Sequence, residues 1–242
     1  MKTFDIEKYI QELIRRLQEQ FGERLVYVGL QGSFRRGEAD EHSDIDIMVT
    51  LDRLDAADLD RYRGIIAALP AFERSCGFIS GRGELKNWPR HEICQLLHET
   101  KDCYGSLRPL LPDFSRADVE NHIRISVGDL YHLLCHGRIH GAPEECADRL
   151  RGLYKAVFYI LQNSFYLQTG EWVMTGAELA ARLSGSDREV LEMALTARSG
   201  AEFDAEKAFT LLFGWCRIFL QSPVPASAAD TRSVRPKGSP RP

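Results

Sequence analysis

Two aspartates and an upstream glycine–serine pair are the residues of this chain best suited to chemistry. Asp44 and Asp46 lie in the run Ser-Asp-Ile-Asp-Ile, and Gly32-Ser33 precedes them. If residues 44–51 form a strand, both carboxylates project from one face, because side chains alternate along a strand. Neighbouring acids repel each other and gain little from packing, so their pairing indicates a shared divalent cation.

The glycine–serine pair indicates which ligand the cation would help to bind. Gly32 lets a ligand approach the backbone closely, and the Ser33 hydroxyl with nearby N–H groups can bind phosphate oxygens. Arg35 or Arg36 can add charge-assisted hydrogen bonds to the outer phosphates. Mg²⁺ prefers one or two carboxylates plus phosphate oxygens, so a nucleoside triphosphate fits this set. The pattern predicts nucleotidyl transfer, and the alternative is a hairpin turn beside a polar strand face.

The surrounding sequence predicts the elements that position these groups. Apolar residues at helical spacing and at strand alternation follow one another up to a proline-containing stretch, residues 105–112. In chain order the predicted elements are a helix over 3–21, a strand over 25–30, a strand over 44–51, a helix over 55–69, a short strand over 74–80, a glycine-rich turn over 81–89 and a helix over 91–102.

Beyond Pro112 the pattern predicts helices only. We therefore expect a first domain over residues 1–108 and a helical domain over 113–221. Residues 222–242 are rich in proline and basic side chains and have little to bury, which predicts a disordered tail. The predicted helices of the second domain cover 115–140, 144–169, 175–183, 186–198 and 203–220.

Bulk composition excludes some classes of function. The net charge of −4 and pI of about 6.0 argue against a nucleic-acid binder that relies on a broad basic field. No run approaches the ~20 apolar residues that span a bilayer. The six cysteines show no zinc or redox spacing, and no signal-peptide core is evident, so we expect a cytoplasmic protein with reduced thiols.

The segment from Gly32 to Ile47 resembles the signature of the DNA polymerase β-like nucleotidyltransferase superfamily. Within that superfamily the chain is most similar to the bacterial antibiotic-type enzymes, such as the aminoglycoside adenylyltransferases. The resemblance implies an α+β fold, in which a small mixed β-sheet flanked by helices is followed by an all-α domain. It also implies two Mg²⁺ ions held by Asp44 and Asp46, with a nucleoside triphosphate, expected to be ATP, as co-substrate. The motif aligns Arg36 with the usual arginine of the family.

The resemblance also suggests residues outside the motif. The superfamily usually has a third carboxylate on or just after the third strand, and Glu84 is the candidate for this catalytic base. Its rivals are Glu92, Glu99 and Asp102 on the following helix. Related enzymes close the helical domain over the triphosphate with a basic residue, and Lys155 is the candidate here. The alternative for Lys155 is a side chain that snorkels from a buried helix.

A second group of residues falls outside this constellation. His132, His136 and His140 follow one another at helical spacing. They could form a metal-binding face on one helix, but such histidines are more often core-edge or solvent residues.

The expected activity is transfer of AMP from ATP to a hydroxyl group of a small molecule, with an antibiotic as one class of acceptor. Two alternatives remain open: nucleotidylation of a protein partner, as in toxin–antitoxin systems, and a non-catalytic nucleotide-binding regulator. The resemblance is compatible with a homodimer, and we expect neither a membrane nor a nucleic acid as partner.

Overall fold

The computed structural model describes residues 4–222, so the predicted tail lies outside the described residues except for Ser222. The chain divides into two compact units between Asp113 and Phe114. The functional roles expected for the two stretches remain predictions. No helix within residues 4–222 is both long and apolar enough to cross a membrane.

The first unit contains a four-stranded mixed sheet. Its strands are β1 (Leu25–Leu30), β2 (Ile45–Leu51), β3 (Ser75–Gly81) and β4 (Lys101–Tyr104), arranged in the order β3-β2-β1-β4. β1 pairs antiparallel with both β2 and β4, whereas β2 and β3 are parallel. The α+β fold class with a small mixed sheet is thereby confirmed.

Five helices accompany the sheet: α1 (Ile6–Phe21), α2 (Gly32–Arg36), α3 (Ala56–Ala67), α4 (Arg82–Lys86) and α5 (Arg90–Glu99). α1 starts at the N-cap Asp5, whose carboxylate accepts a hydrogen bond from the Lys8 N–H. The apolar stripe of α1 packs on the aliphatic face of β2, where Ile45, Ile47 and Val49 are buried. This core leaves the opposite face of β2 for the polar residues of the same strand.

A buried ion pair joins α3 to the start of the sheet. Asp58, in the first turn of α3, is fully buried and accepts hydrogen bonds from Arg24 at 2.7 Å and 3.2 Å. Arg61 donates to the same carboxylate at 2.8 Å. These contacts hold the pKa of Asp58 well below its usual range.

The second unit is helical, as expected. Its helices are α6 (Arg116–His140), α7 (Cys146–Thr169), α8 (Gly176–Arg182), α9 (Gly185–Arg198) and α10 (Ala205–Gln221). Two buried aromatic side chains tie α10 to its neighbours. The Tyr154 hydroxyl donates to the Ala208 carbonyl at 2.8 Å, and the Trp215 ring N–H donates to Asp187 at 2.7 Å.

Three local expectations were wrong. The segment after β1, for which no helix was predicted, forms the short helix α2, and the glycine-rich turn after β3 contains α4. The helix expected over 91–102 ends at Glu99, and residues 101–104 form β4 instead. β4 is four residues long, carries no apolar run, and is fixed by pairing with β1, which is distant in sequence.

Candidate active site

The glycine–serine turn and the paired aspartates meet at one end of the sheet. β1 and β2 are antiparallel, with Leu30 opposite Ile47, so the end of β1 lies beside the start of β2. The Gln31 N–H donates to the Asp46 carbonyl at 2.9 Å, which extends the pairing by one residue. Gly32 then turns the chain into α2 directly beside Asp46.

Gly32 and Asp46 are in contact. Gly32 has φ +67°, a conformation that glycine adopts without steric cost. A Cβ at this position would lie 2.7 Å from the Asp46 carboxyl carbon and still closer to one of its oxygens. The missing side chain therefore makes room for the carboxylate, and any other residue would displace it.

The two aspartates differ in environment. Asp44 is exposed just before β2, whereas Asp46 is half-buried within it. Burial raises the pKa of Asp46, and the charge of Asp44 raises it further. A hydrogen bond with Cys76 and the charge of Arg36 act in the opposite direction without cancelling the rise. A cation that bridges the carboxylates would relieve the repulsion between them.

Cys76 is a site residue that the sequence analysis missed. β3 runs parallel to β2 with Cys76 opposite Asp46, so both side chains lie on the same face. The β3 residues on that face are Cys76, Phe78 and Ser80, and none is acidic. Burial and the Asp46 charge raise the pKa of the Cys76 thiol. The alternation of residues 75–81 could have identified this position, because the third strand is where the family usually places its third carboxylate.

Arg36 is held by carboxylates. Its guanidinium is almost fully buried and donates to Glu99 at 3.1 Å and to Glu38 at 3.2 Å. Glu99 is buried as well, so its part in the site is to hold Arg36 in place, a role that the sequence did not reveal. The neighbouring Arg35 has a buried Nε atom with no hydrogen-bond partner among residues 4–222. Arg36 thus already binds two carboxylates, whereas the Nε atom of Arg35 binds none within these residues.

Glu84 does not converge with the aspartates, which corrects the expectation for this residue. β3 starts beside Asp46, but its last residue, Gly81, pairs with Leu51 at the far end of β2. Leu51 is five residue steps along the strand from Asp46, which corresponds to roughly 16 Å. A Cβ on Gly81 would touch the Glu84 carboxylate, so Glu84 stays at that far end.

The three rival carboxylates, Glu92, Glu99 and Asp102, differ in their hydrogen-bond partners. Glu99 binds Arg36, and Asp102 accepts hydrogen bonds from the Tyr27 hydroxyl at 2.7 Å and from the Leu107 N–H at 3.3 Å. Glu92 accepts from the Trp88 ring N–H at 2.8 Å, and its side chain is 45% exposed.

An aromatic contact places Trp88 and Glu92 over the face of the sheet that carries Asp46. Trp88 packs edge-on against Phe78, with ring centroids 4.9 Å apart. Phe78 lies opposite Met48, two residues along β2 from Asp46, and on the same face. Glu92 therefore combines an accessible carboxylate with a position over this face. Asp102 is exposed and lies on the same face, because its partner Gly29 pairs with Met48, but it already accepts two hydrogen bonds.

Ser33 and Lys155 are the two remaining residues that the sequence analysis assigned to nucleotide binding. Ser33 is half-buried in the first turn of α2, and its hydroxyl makes no hydrogen bond within the described part of the chain. Lys155 is exposed on α7 in the helical unit. Its assignment to the nucleotide remains a prediction.

The donor set fits Mg²⁺ and a triphosphate. Asp44 and Asp46 supply two carboxylates, and the absent Gly32 side chain leaves the Asp46 oxygen accessible at the turn. Within residues 4–222 no group of three or more histidine, cysteine or acidic side chains is placed to hold one ion. Two carboxylates suffice when phosphate oxygens and water complete the shell.

Comparisons with known proteins agree with this geometry. Residues 10–118 match the family model described as "Nucleotidyltransferase domain". Among solved structures, the chain is similar to spectinomycin adenyltransferase AAD(9) from Enterococcus faecialis, determined with ATP and spectinomycin. The identity is 16% and the TM-score 0.56, over 89% of this chain and 99% of the other. At this identity the likeness concerns the fold. Among curated proteins, no sequence matches.

Proposed function

We propose that this chain, whose residues 10–118 match a nucleotidyltransferase domain, is an enzyme that transfers AMP from ATP to a hydroxyl group of a small molecule. The observation that carries the proposal is the contact between Gly32 and the Asp46 carboxylate, with Asp44 exposed beside it. This arrangement joins a turn open to phosphates with two oxygen ligands for a cation.

The donor half of the site is assigned as follows. Asp44 and Asp46 would hold Mg²⁺, which, when bound, polarises the α-phosphate and stabilises the leaving pyrophosphate. The Ser33 hydroxyl is available for a phosphate oxygen. Arg35 contacts the outer phosphates, whereas Arg36 keeps its bonds to Glu99 and Glu38 and adds positive charge near Asp46.

The acceptor half needs a base for the attacking hydroxyl. We assign this role to Glu92, which is 45% exposed, because Glu84 lies at the other end of the sheet and Glu99 is buried against Arg36. Asp102 already accepts hydrogen bonds from Tyr27 and Leu107. The Trp88 ring N–H fixes the Oε2 atom of Glu92, and the Oε1 atom, which lies 3.7 Å from His91 Nε2, would take the acceptor proton. Phe78 and Trp88 give the acceptor an apolar surface next to that base.

The class of acceptor is a hydroxyl-bearing small molecule, with antibiotics as the first compounds to test. The AAD(9) structure contains spectinomycin together with ATP, which makes aminocyclitols and aminoglycosides the natural panel. Incubation with ATP labelled on the α-phosphate and Mg²⁺ should move the label to at least one member of the panel. Asp46→Asn, which keeps the shape and removes the charge, should abolish both label transfer and pyrophosphate release. Pyrophosphate release that survives this substitution would refute the assigned role of Asp46.

The choice of base is tested by a matched pair of substitutions. Glu92→Gln should lower kcat by about 100-fold or more, as expected for loss of a general base, with little change in the KM for ATP. Glu84→Gln, the same chemical change at the far end of the sheet, should leave both constants nearly unchanged. The reverse result would restore Glu84 as the base and contradict the strand register described above.

A further inference from the structure

Three histidines form a ladder on one face of α6. His132, His136 and His140 are each one helical turn apart, and all three are exposed. The ring centroids of His132 and His136 are 6.1 Å apart, and those of His136 and His140 are 4.8 Å apart. Three of the seven histidines of the chain thus share one surface stripe.

The imidazole rings of His132, His136 and His140 lie next to one another and contact no further polar group within residues 4–222. None of them makes a hydrogen bond or an ion pair with a side chain or backbone group within residues 4–222. Imidazoles that are exposed and make no other polar contact are available as metal ligands.

The spacing of the last two rings matches a chelate. Metal–nitrogen bonds of about 2 Å place each ring centroid about 3 Å from the ion, and an angle of about 90–110° between ligands then separates the centroids by roughly 4.5–5 Å. The 4.8 Å between His136 and His140 falls in this range, whereas the 6.1 Å between His132 and His136 exceeds it. His136 and His140 are therefore close to chelating geometry without a change of backbone.

We propose that His136 and His140 chelate a divalent transition-metal ion of the zinc, nickel or copper class. Imidazole nitrogens favour these ions over Mg²⁺, whose ligands are oxygens, so the site is chemically distinct from that of Asp44 and Asp46. Within the described part of the chain no third protein ligand joins them, so water completes the shell. The proposal does not depend on the activity proposed above.

Zinc titration of the full chain tests the site in the presence of millimolar Mg²⁺, which occupies the carboxylates. Binding is measured by calorimetry at pH 7.5, and the imidazole resonances are followed by NMR. His136→Ala and His140→Ala should each weaken binding by roughly tenfold or more, and the resonances of both rings should shift in the wild type. His132→Ala should change the affinity by less than about twofold.

The matched control is His42→Ala, because His42 is a highly exposed histidine of the first unit. It should bind Zn²⁺ like the wild type, and the cysteines are common to all four variants. Equal affinities for the wild type and His136→Ala would overturn the proposal, because the ion would then sit elsewhere. An effect of His132→Ala as large as that of His140→Ala would overturn the assignment to the closer pair. Circular dichroism confirms that each variant retains its helices.

Discussion

The Asp46 carboxylate packs against the α-carbon of Gly32, which lies beyond the end of the neighbouring antiparallel strand. Gly32 must therefore lack a side chain so that the Asp46 carboxylate can occupy its position. The contact couples the turn that we propose to face the phosphates to the strand that we propose to bind the metal.

Replacement of Gly32 by alanine tests this coupling. The substitution introduces a Cβ at φ +67° and displaces the Asp46 carboxylate, so we expect about 1–2 kcal/mol of lost stability and roughly 100-fold lower activity. Gly37→Ala is the control, since Gly37 has φ +73° but open space where a Cβ would stand. It should lose similar stability in urea denaturation and keep most of the activity. Equal activity losses in both variants would mean that strain in the turn, not the carboxylate contact, controls the rate.

Cys76→Asp should create a three-carboxylate site. The new side chain would stand opposite Asp46, close to Asp44, and would repel both when no metal is present. We expect a lower melting temperature in chelator and a larger increase on addition of Mg²⁺ than in the wild type. Cys76→Asn has nearly the same shape without the charge and should show neither effect. An unchanged response of Cys76→Asp to Mg²⁺ would show that this position does not face the ion.

The pair formed by Arg36 and Glu99 is expected to be structural. Glu99→Gln leaves the buried guanidinium with Glu38 as its remaining described carboxylate partner, which should cost about 3 kcal/mol in the free energy of unfolding. Replacing both residues, as in Arg36→Met with Glu99→Leu, should recover much of that loss because no buried charge remains unpaired. Urea denaturation of the single and double variants measures the coupling. Additive losses would contradict it.

Asp58 should make the first unit sensitive to acid. Its pKa is depressed in the folded state by hydrogen bonds from Arg24, the Asp55 N–H and Arg61, so its contribution to stability is present above the ordinary carboxyl value of 3.8. That contribution is lost as the pH falls below this value towards the folded pKa, because the unfolded chain then binds the proton more tightly. Asp58→Asn should therefore be less stable than the wild type at pH 7, and the difference should shrink at pH 3. Thermal unfolding at both pH values measures this, and a constant difference would exclude the ion pair as its cause.

Local sequence patterns were sufficient to predict the strand that carries Asp46. Its alternation placed Asp46 on the face opposite the buried aliphatic residues, whereas Asp44, expected in the same strand, lies just before β2. The long helices α6 and α7 likewise start and end close to the predicted bounds, 115–140 and 144–169.

Features that depend on how the strands pair could not be predicted from local sequence patterns. Glu84 lies in a segment that resembles the base-bearing segment of related enzymes, yet the parallel pairing of β2 and β3 carries it away from Asp46. Cys76 was overlooked because its pairing with Asp46 depends on the register of β3, although the alternation of residues 75–81 could have drawn attention to it. The bond from Arg36 to Glu99 joins residues far apart in sequence, and one sequence alone does not reveal such a contact.

The strand order also bears on how the first unit acquires its activity during folding. Gly29 pairs with nearby Met48, but Val28 pairs with Tyr104, so β4 must close a much longer loop than β2. The hydrogen bond from Gln31 to Thr100 and the pair of Arg36 with Glu99 form only when that last segment docks. We therefore expect the catalytic centre to be completed late and to be lost early, with inactivation in urea preceding the loss of helical signal. Coincident transitions would instead indicate that the sheet closes in a single cooperative event.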